Sequence, residues 1–157
     1  MSMWPIEKLL PHAGRMILLD RVVSWEPERI ICERTVRRGD AFVEAGGLPA
    51  WAGVELMAQA IAAWNGWQVL AAGGNVRPGF LLGTRAYLAD ADLFPIGAKL
   101  VVEAVRRFHD EDGMGAFACR IDAPGMHAEA RLTVFSPPDP GPYLDPRNSL
   151  DPKGTAT

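Results

Sequence analysis

The sequence predicts an α+β fold in which one antiparallel sheet of about six strands is wrapped around a single long helix. Three observations predict it. Residues 48–72 form a nearly continuous apolar segment, strand-like runs lie on both sides of it, and the later runs are joined by the short segments PIG (95–97), DEDG (110–113) and APG (123–125). Such turns join antiparallel neighbours, because a parallel connection needs a dozen or more residues.

The first element is a short helix over residues 4–10, with Pro5 at its start and Pro11 as its stop. Residues 15–25 (RMILLDRVVSW) and 28–36 (ERIICERTV) read as strands separated by Glu26-Pro27, so the two should form a hairpin. A polar, glycine-containing loop over 37–47 leads to the central helix, and Pro49 sets its start. Within 48–72 the apolar residues Trp51, Val54, Leu56, Met57, Ile61, Trp64, Val69 and Leu70 fall on nearly every side of a helical projection, which marks a helix buried on most of its surface. At the usual rise it is roughly 35 Å long. Glu55, Gln59, Asn65 and Gln68 argue against membrane insertion. Gly73-Gly74-Asn75 ends the helix. Strands then follow over 80–90, 98–109, 115–122 and 126–135. There are no internal repeats.

A chain of 157 residues is most simply one domain, here 1–136, followed by a proline-rich tail over 137–157 that cannot join a sheet. The net charge of −3 provides no basic stripe for phosphates and excludes nucleic acid as the natural partner. Cys32 and Cys119 sit in apolar, strand-like surroundings without CxxC spacing, so neither zinc nor a disulfide framework is indicated and a reducing, cytoplasmic location is expected. No basic region followed by an apolar run opens the chain, so no signal peptide is evident. No metal-ligand cluster, phosphate-cradling glycine loop or Ser-His-Asp spacing is present, and no cofactor is implied.

The chemistry-bearing residues are few. Glu55 is the only acid of the central helix, and Gln59, one turn on, shares its face and can hydrogen-bond its carboxyl. A carboxyl desolvated there would keep its proton and could donate it; a satisfied or solvent-facing Glu is the competing reading. Of the three histidines, His109 adjoins Asp110, Glu111 and Asp112 and is expected to be exposed at a turn, His127 reads as an ordinary strand residue, and His12 is either a loop histidine after Pro11 or functional. Asp40 and Glu44 in the pre-helix loop either help a reaction or merely solvate the loop. Arg34, Arg37 and Arg38, and separately Arg106 and Arg107, are either solvated strand ends or contacts for a small acidic partner.

Local motifs give these elements a family likeness. LLPHAGRMILLDRV (9–22) is similar to the segment that opens the 3-hydroxyacyl-acyl-carrier-protein dehydratases, and LPAWAGVELMAQA (48–60) resembles their helix segment, placing Glu55 on the catalytic acid and Gln59 beside it. LLGTRAYL (81–88) and GMHAEARLTVF (125–135) resemble the later strands. The resemblance covers roughly residues 6–135 and implies the hotdog fold. One position departs from it: where the well-known dehydratases carry a histidine before the helix, this chain has Ala41. The combination of LPH with an LPAW-type helix start resembles most the dehydratase-like hotdog proteins linked to aryl polyene lipid synthesis.

The resemblance implies a 3-hydroxyacyl thioester carried on acyl carrier protein or coenzyme A, with Glu55 as acid and His12 as candidate base. Free backbone N–H groups of Ala50 and Trp51 at the helix start are expected to hold the thioester oxygen. Arg37, Arg38, Arg106 and Arg107 are candidates for binding the acidic carrier. The fold implies a dimer, either a homodimer or a heterodimer with a related hotdog chain that supplies the missing histidine. A non-catalytic acyl-binding subunit and a hotdog thioesterase are the alternative readings.

Overall fold

The computed structural model describes residues 4–137. After a one-turn helix α1 (Ile6–Leu9) and a 3-10 turn (Gly14–Met16) come β1 (Arg21–Glu26), β2 (Arg29–Thr35), β3 (Gly47–Pro49) and a second 3-10 turn (Ala50–Ala52) that runs into α2 (Gly53–Ala71). Then follow β4 (Phe80–Ala89), β5 (Leu93–Pro95), β6 (Lys99–His109), β7 (Met114–Ala123) and β8 (Met126–Phe135). Six strands form one antiparallel sheet in the order β1-β2-β6-β7-β8-β4, and β3 pairs with β5 apart from it.

Alternation along the strands sends one set of side chains toward α2. Ile30 and Cys32 of β2, Leu100, Val102 and Ala104 of β6, Phe117, Cys119 and Ile121 of β7 and Ala128, Ala130 and Leu132 of β8 are buried there. Against them α2 buries Leu56, Met57, Ala60, Ile61, Ala63, Trp64 and Trp67. On the other sheet face, Glu103 is buried but paired with Arg29 at 2.6 Å and Arg120 at 3.2 Å, which meets the requirement that a buried charge be compensated. Both cysteines are buried thiols, each pushed up to about 12 by loss of solvation.

The strand order corrects one expectation. The strand at 80–90 is not beside that at 98–109: β4 pairs with β8 at the sheet edge, and β6 runs between β2 and β7. Residues 93–95 form β5 instead, where Phe94 is fully buried opposite Leu48. Burying Phe94 draws the chain across the helix start, so the turn after it delivers β6 to the middle of the sheet. The same pairing takes Leu48 and Pro49 into β3, and α2 therefore begins at Gly53 rather than at 48. The first strand also begins later than expected, at Arg21, because the Leu18 N–H is taken by the Gln59 side chain rather than by a neighbouring strand.

α2 ends as the glycines predict: Gly73 is left-handed at φ +82°, and Gly74 N–H returns to Val69 O at 2.9 Å. The helix is less enclosed than expected, since Trp51, Glu55 and Gln68 are exposed on the single chain. No helix among the described residues is long and apolar enough to cross a membrane. The proline-rich tail expected over 137–157 lies, beyond residue 137, outside the described residues.

Candidate functional site

Two contacts press the N-terminal segment onto α2. A Cβ on Gly66 would collide with the carbonyl of Leu9, so glycine there lets α1 touch the helix backbone. One helical stretch earlier, Gln59 uses both ends of its amide: Oε1 accepts the Leu18 N–H at 2.8 Å and Nε2 donates to Met16 O at 2.5 Å. His12 lies between these two anchors. Its Nδ1 is buried with no hydrogen-bond partner among the described residues. Burial holds its ring below the ordinary histidine range, and the nearby Glu55 charge opposes that only in part. A neutral imidazole with a free nitrogen can accept a proton.

Glu55, Ala58, Ala62 and Asn65 recur at helical spacing and form a stripe of α2 that is less buried than its core face. Beneath it lies a cavity of about 210 Å³ whose middle is apolar, walled by Ala58, Ile61, Ala62, Leu81, Phe117 and Val134. His12 and Glu55 line one end. Asn65, His109 and Ser136 line the other, about 15 Å away by helical rise. The arrangement suits an extended apolar group with a reacting carbon held beside an acid and a base.

Several expected roles are corrected by this geometry. Gln59 does not bond Glu55; its amide is committed to residues 16 and 18, so it positions the His12 segment instead. Glu55 is exposed at the cavity mouth, so of the desolvated and solvent-facing readings left open for it, this chain by itself shows the second. Ala50 cannot offer its N–H to an oxyanion, because that group donates to Asp92 O at 2.8 Å. Its carbonyl is also held, by the Tyr87 hydroxyl. Trp51 remains as the N–H candidate at the helix start, its ring exposed and packed edge-on against Phe42 at 5.4 Å.

His109 is not a solvated turn residue. It packs edge-on against Trp64, with ring centroids 5.4 Å apart, and burial followed by the Arg106 charge holds it below the ordinary histidine range. His127 is a surface strand residue whose ring meets Asp122 at 2.7 Å and Glu129 at 3.2 Å, and these bonds raise it. Asp40 is structural, pairing with Arg34 at 2.7 Å. Ala41 is half-buried and packs against the core, and no ring stands in its place.

The four carrier-binding candidates do not form one patch. Thr35 pairs with Lys99 and Arg29 with Val105, so Arg37 and Arg38 lie at one end of the β2–β6 ladder and Arg106 and Arg107 at the other. Gly53 of α2 sits against Ile121 and Trp64 against Phe117, which puts the Glu55 end of the cavity on the Arg37 and Arg38 side. Arg37 grips both oxygens of Asp20 at 3.0 Å, whereas Arg106 lies over the Trp64 ring, 5.8 Å from its centroid. Sequence reading missed Tyr87, Asn65 and Ser136. A bulge between Arg85 and Leu88, with Ala86 at φ +51°, carries Tyr87 to Ala50, and no residue type announces it.

The architecture recurs at low sequence similarity. A hypothetical thioesterase with coenzyme A from Streptococcus pneumoniae is 13% identical, covers 74% of this chain and 84% of its own, and has a TM-score of 0.55. The Escherichia coli PaaI protein from the phenylacetic acid degradation operon is 15% identical, with 73% and 80% coverage and a TM-score of 0.55. These likenesses establish the hotdog fold alone. A chain of the dehydratase heterocomplex ApeI:P from Xenorhabdus doucetiae is 31% identical, with 87% of this chain and 93% of that one covered and a TM-score of 0.82. No curated protein gives a significant match. The class is thus that of dehydratase-like hotdog proteins. The family model described as ApeP dehydratase matches residues 4–145, and the chain belongs to this ApeP-like family.

Proposed function

We propose that this chain dehydrates a 3-hydroxyacyl thioester, delivered on acyl carrier protein or coenzyme A, in complex with a related hotdog chain. The observation that carries the reading is the meeting of His12 and Glu55 at one end of an apolar cavity. Neutral His12 takes the proton from C2, the C3 hydroxyl leaves as water with a proton from Glu55, and the electron pair of the C2–H bond forms the C2=C3 double bond. The Trp51 N–H and the helix dipole stabilise the enolate-like thioester oxygen. A second chain laid over the mouth would exclude water from Glu55 and from the reacting carbons.

The partner has a natural place to dock. β4 is an edge strand with Leu81, Leu82 and Leu88 exposed, the kind of edge that a second sheet covers. The related chain from Xenorhabdus doucetiae belongs to a dehydratase heterocomplex. Ala41 favours a second reading in which the chain binds the acyl group and stabilises a histidine-bearing partner without itself reacting. Loss of water from a 3-hydroxyacyl carrier-protein thioester, followed by mass spectrometry for the chain alone and with that partner, separates the two. His12→Ala and Glu55→Gln, each folded and still binding the partner, abolish turnover on the first reading. Turnover that survives both substitutions leaves only the subunit role.

A further inference from the structure

We propose that the Asn65–Ser136 hydrogen bond is a gate that sets how long an acyl chain the cavity admits, an inference that rests on the acyl-cavity reading above. The cavity does not end blindly. Asn65, Arg77, His109, Gly113 and Ser136 line both its far end and an open groove that continues past Val69 and Ala72. These five residues form a neck. Across it Asn65 Nδ2 donates to Ser136 Oγ at 3.1 Å.

The two sides of the neck differ in freedom. Ser136 is anchored through its backbone, with its N–H on Gly113 O at 2.9 Å and its carbonyl packed where a Cβ on Gly113 would have to lie. Gly113, at φ +99°, is the residue type that permits this approach. The Asn65 side chain hangs from α2 on two rotatable bonds and is held across the neck by a neutral hydrogen bond, the weaker kind. Asn65 is the moving part.

The geometry divides acyl chains into two groups. A chain reacting beside Glu55 has about 15 Å of cavity before the neck, so a short chain ends against Ala62, Phe117 and Val134. A longer one must part Asn65 from Ser136 and lay its end along Val69 and Ala72. Asn65 thereby becomes a specificity-determining residue for length without touching the reacting carbons.

The test is calorimetric titration of saturated acyl-coenzyme A thioesters, one ending short of the neck and one passing it, against wild type, Asn65→Ala, Ser136→Ala and Asn65→Phe, each in complex with the related hotdog chain. The two alanine variants remove the latch and should raise the ratio of long-chain to short-chain affinity severalfold. Asn65→Phe should lower that ratio roughly tenfold or more, as a few methylene groups lose their burial. The alanine pair keeps the test intact if the phenylalanine variant does not fold. A ratio that is the same in every folded protein overturns the gate and leaves the acyl cavity standing. Failure of wild type to bind either thioester overturns both.

Discussion

The carbonyl of Leu9 occupies the space that a Cβ on Gly66 would need, so the segment carrying His12 rests on α2 backbone to backbone. Glycine inside a helix costs about 0.5–1 kcal/mol relative to alanine. Close approach of α1 offsets that cost. Gly66→Ala is therefore expected to destabilise the chain by roughly 1–3 kcal/mol, as overpacking does, despite alanine's better propensity. Chemical denaturation reads the sign directly, and a more stable variant would show that α1 is not seated there.

Gln59 makes the second anchor, and its loss should be felt as two unsatisfied backbone groups. Gln59→Leu keeps the size and removes both partners of Met16 O and Leu18 N, so a destabilisation of roughly 1–3 kcal/mol is expected. Hydrogen exchange at Leu18 should quicken in the same variant. Protection unchanged at Leu18 would contradict the anchor.

The three histidines should titrate in a stated order. Burial lowers His12, and burial with the Arg106 charge lowers His109, so both stay neutral below the ordinary value near 6.5. Bonds to Asp122, then Glu129, raise His127. Its protonated-state stabilisation is fully present below the ordinary value and is lost as pH rises through the raised one. Ring chemical shifts followed by NMR give the order. If His12 is the base, kcat/KM of the wild type falls as pH drops through its lowered value; a rate that stays flat there would remove His12 from that role.

Position decides which arginines matter to a carrier. Arg38 lies exposed on the side of the Glu55 mouth, whereas Arg107 lies at the other end of the β2–β6 ladder. Arg38→Glu should raise KM for a carrier-linked thioester severalfold and weaken its dependence on salt, with Arg107→Glu changing it far less. Steady-state kinetics at two ionic strengths tests this. Equal effects would mean that the carrier does not dock at the mouth.

Much of the fold was legible because periodicity is local. The strand of residues 126–135 alternates apolar and polar residues that fall on the core and outer faces, the apolar runs of 28–36 and 98–109 mark interior strands, and Gly73 ends the helix as its φ freedom allows. Glu55 and Gln59 were legible as a helical pair. Their partners were not, since the amide of Gln59 reaches backbone groups 43 and 41 residues earlier. His109 misled for the same reason: its acidic neighbours in sequence suggested solvent, while Trp64 and Phe117 from other elements enclose its side of the cavity.

The sequence by itself determined the class of fold, the identity of the central helix and the acid that it carries, because each depends on residue spacing within one segment. Tertiary structure decided the rest. It brought His12 and Glu55 to the lining of one cavity, committed the Ala50 N–H to Asp92, placed β6 in the sheet centre and drew Asn65 to Ser136, since each arrangement joins residues far apart in the chain and exists only once α2 has packed on the sheet.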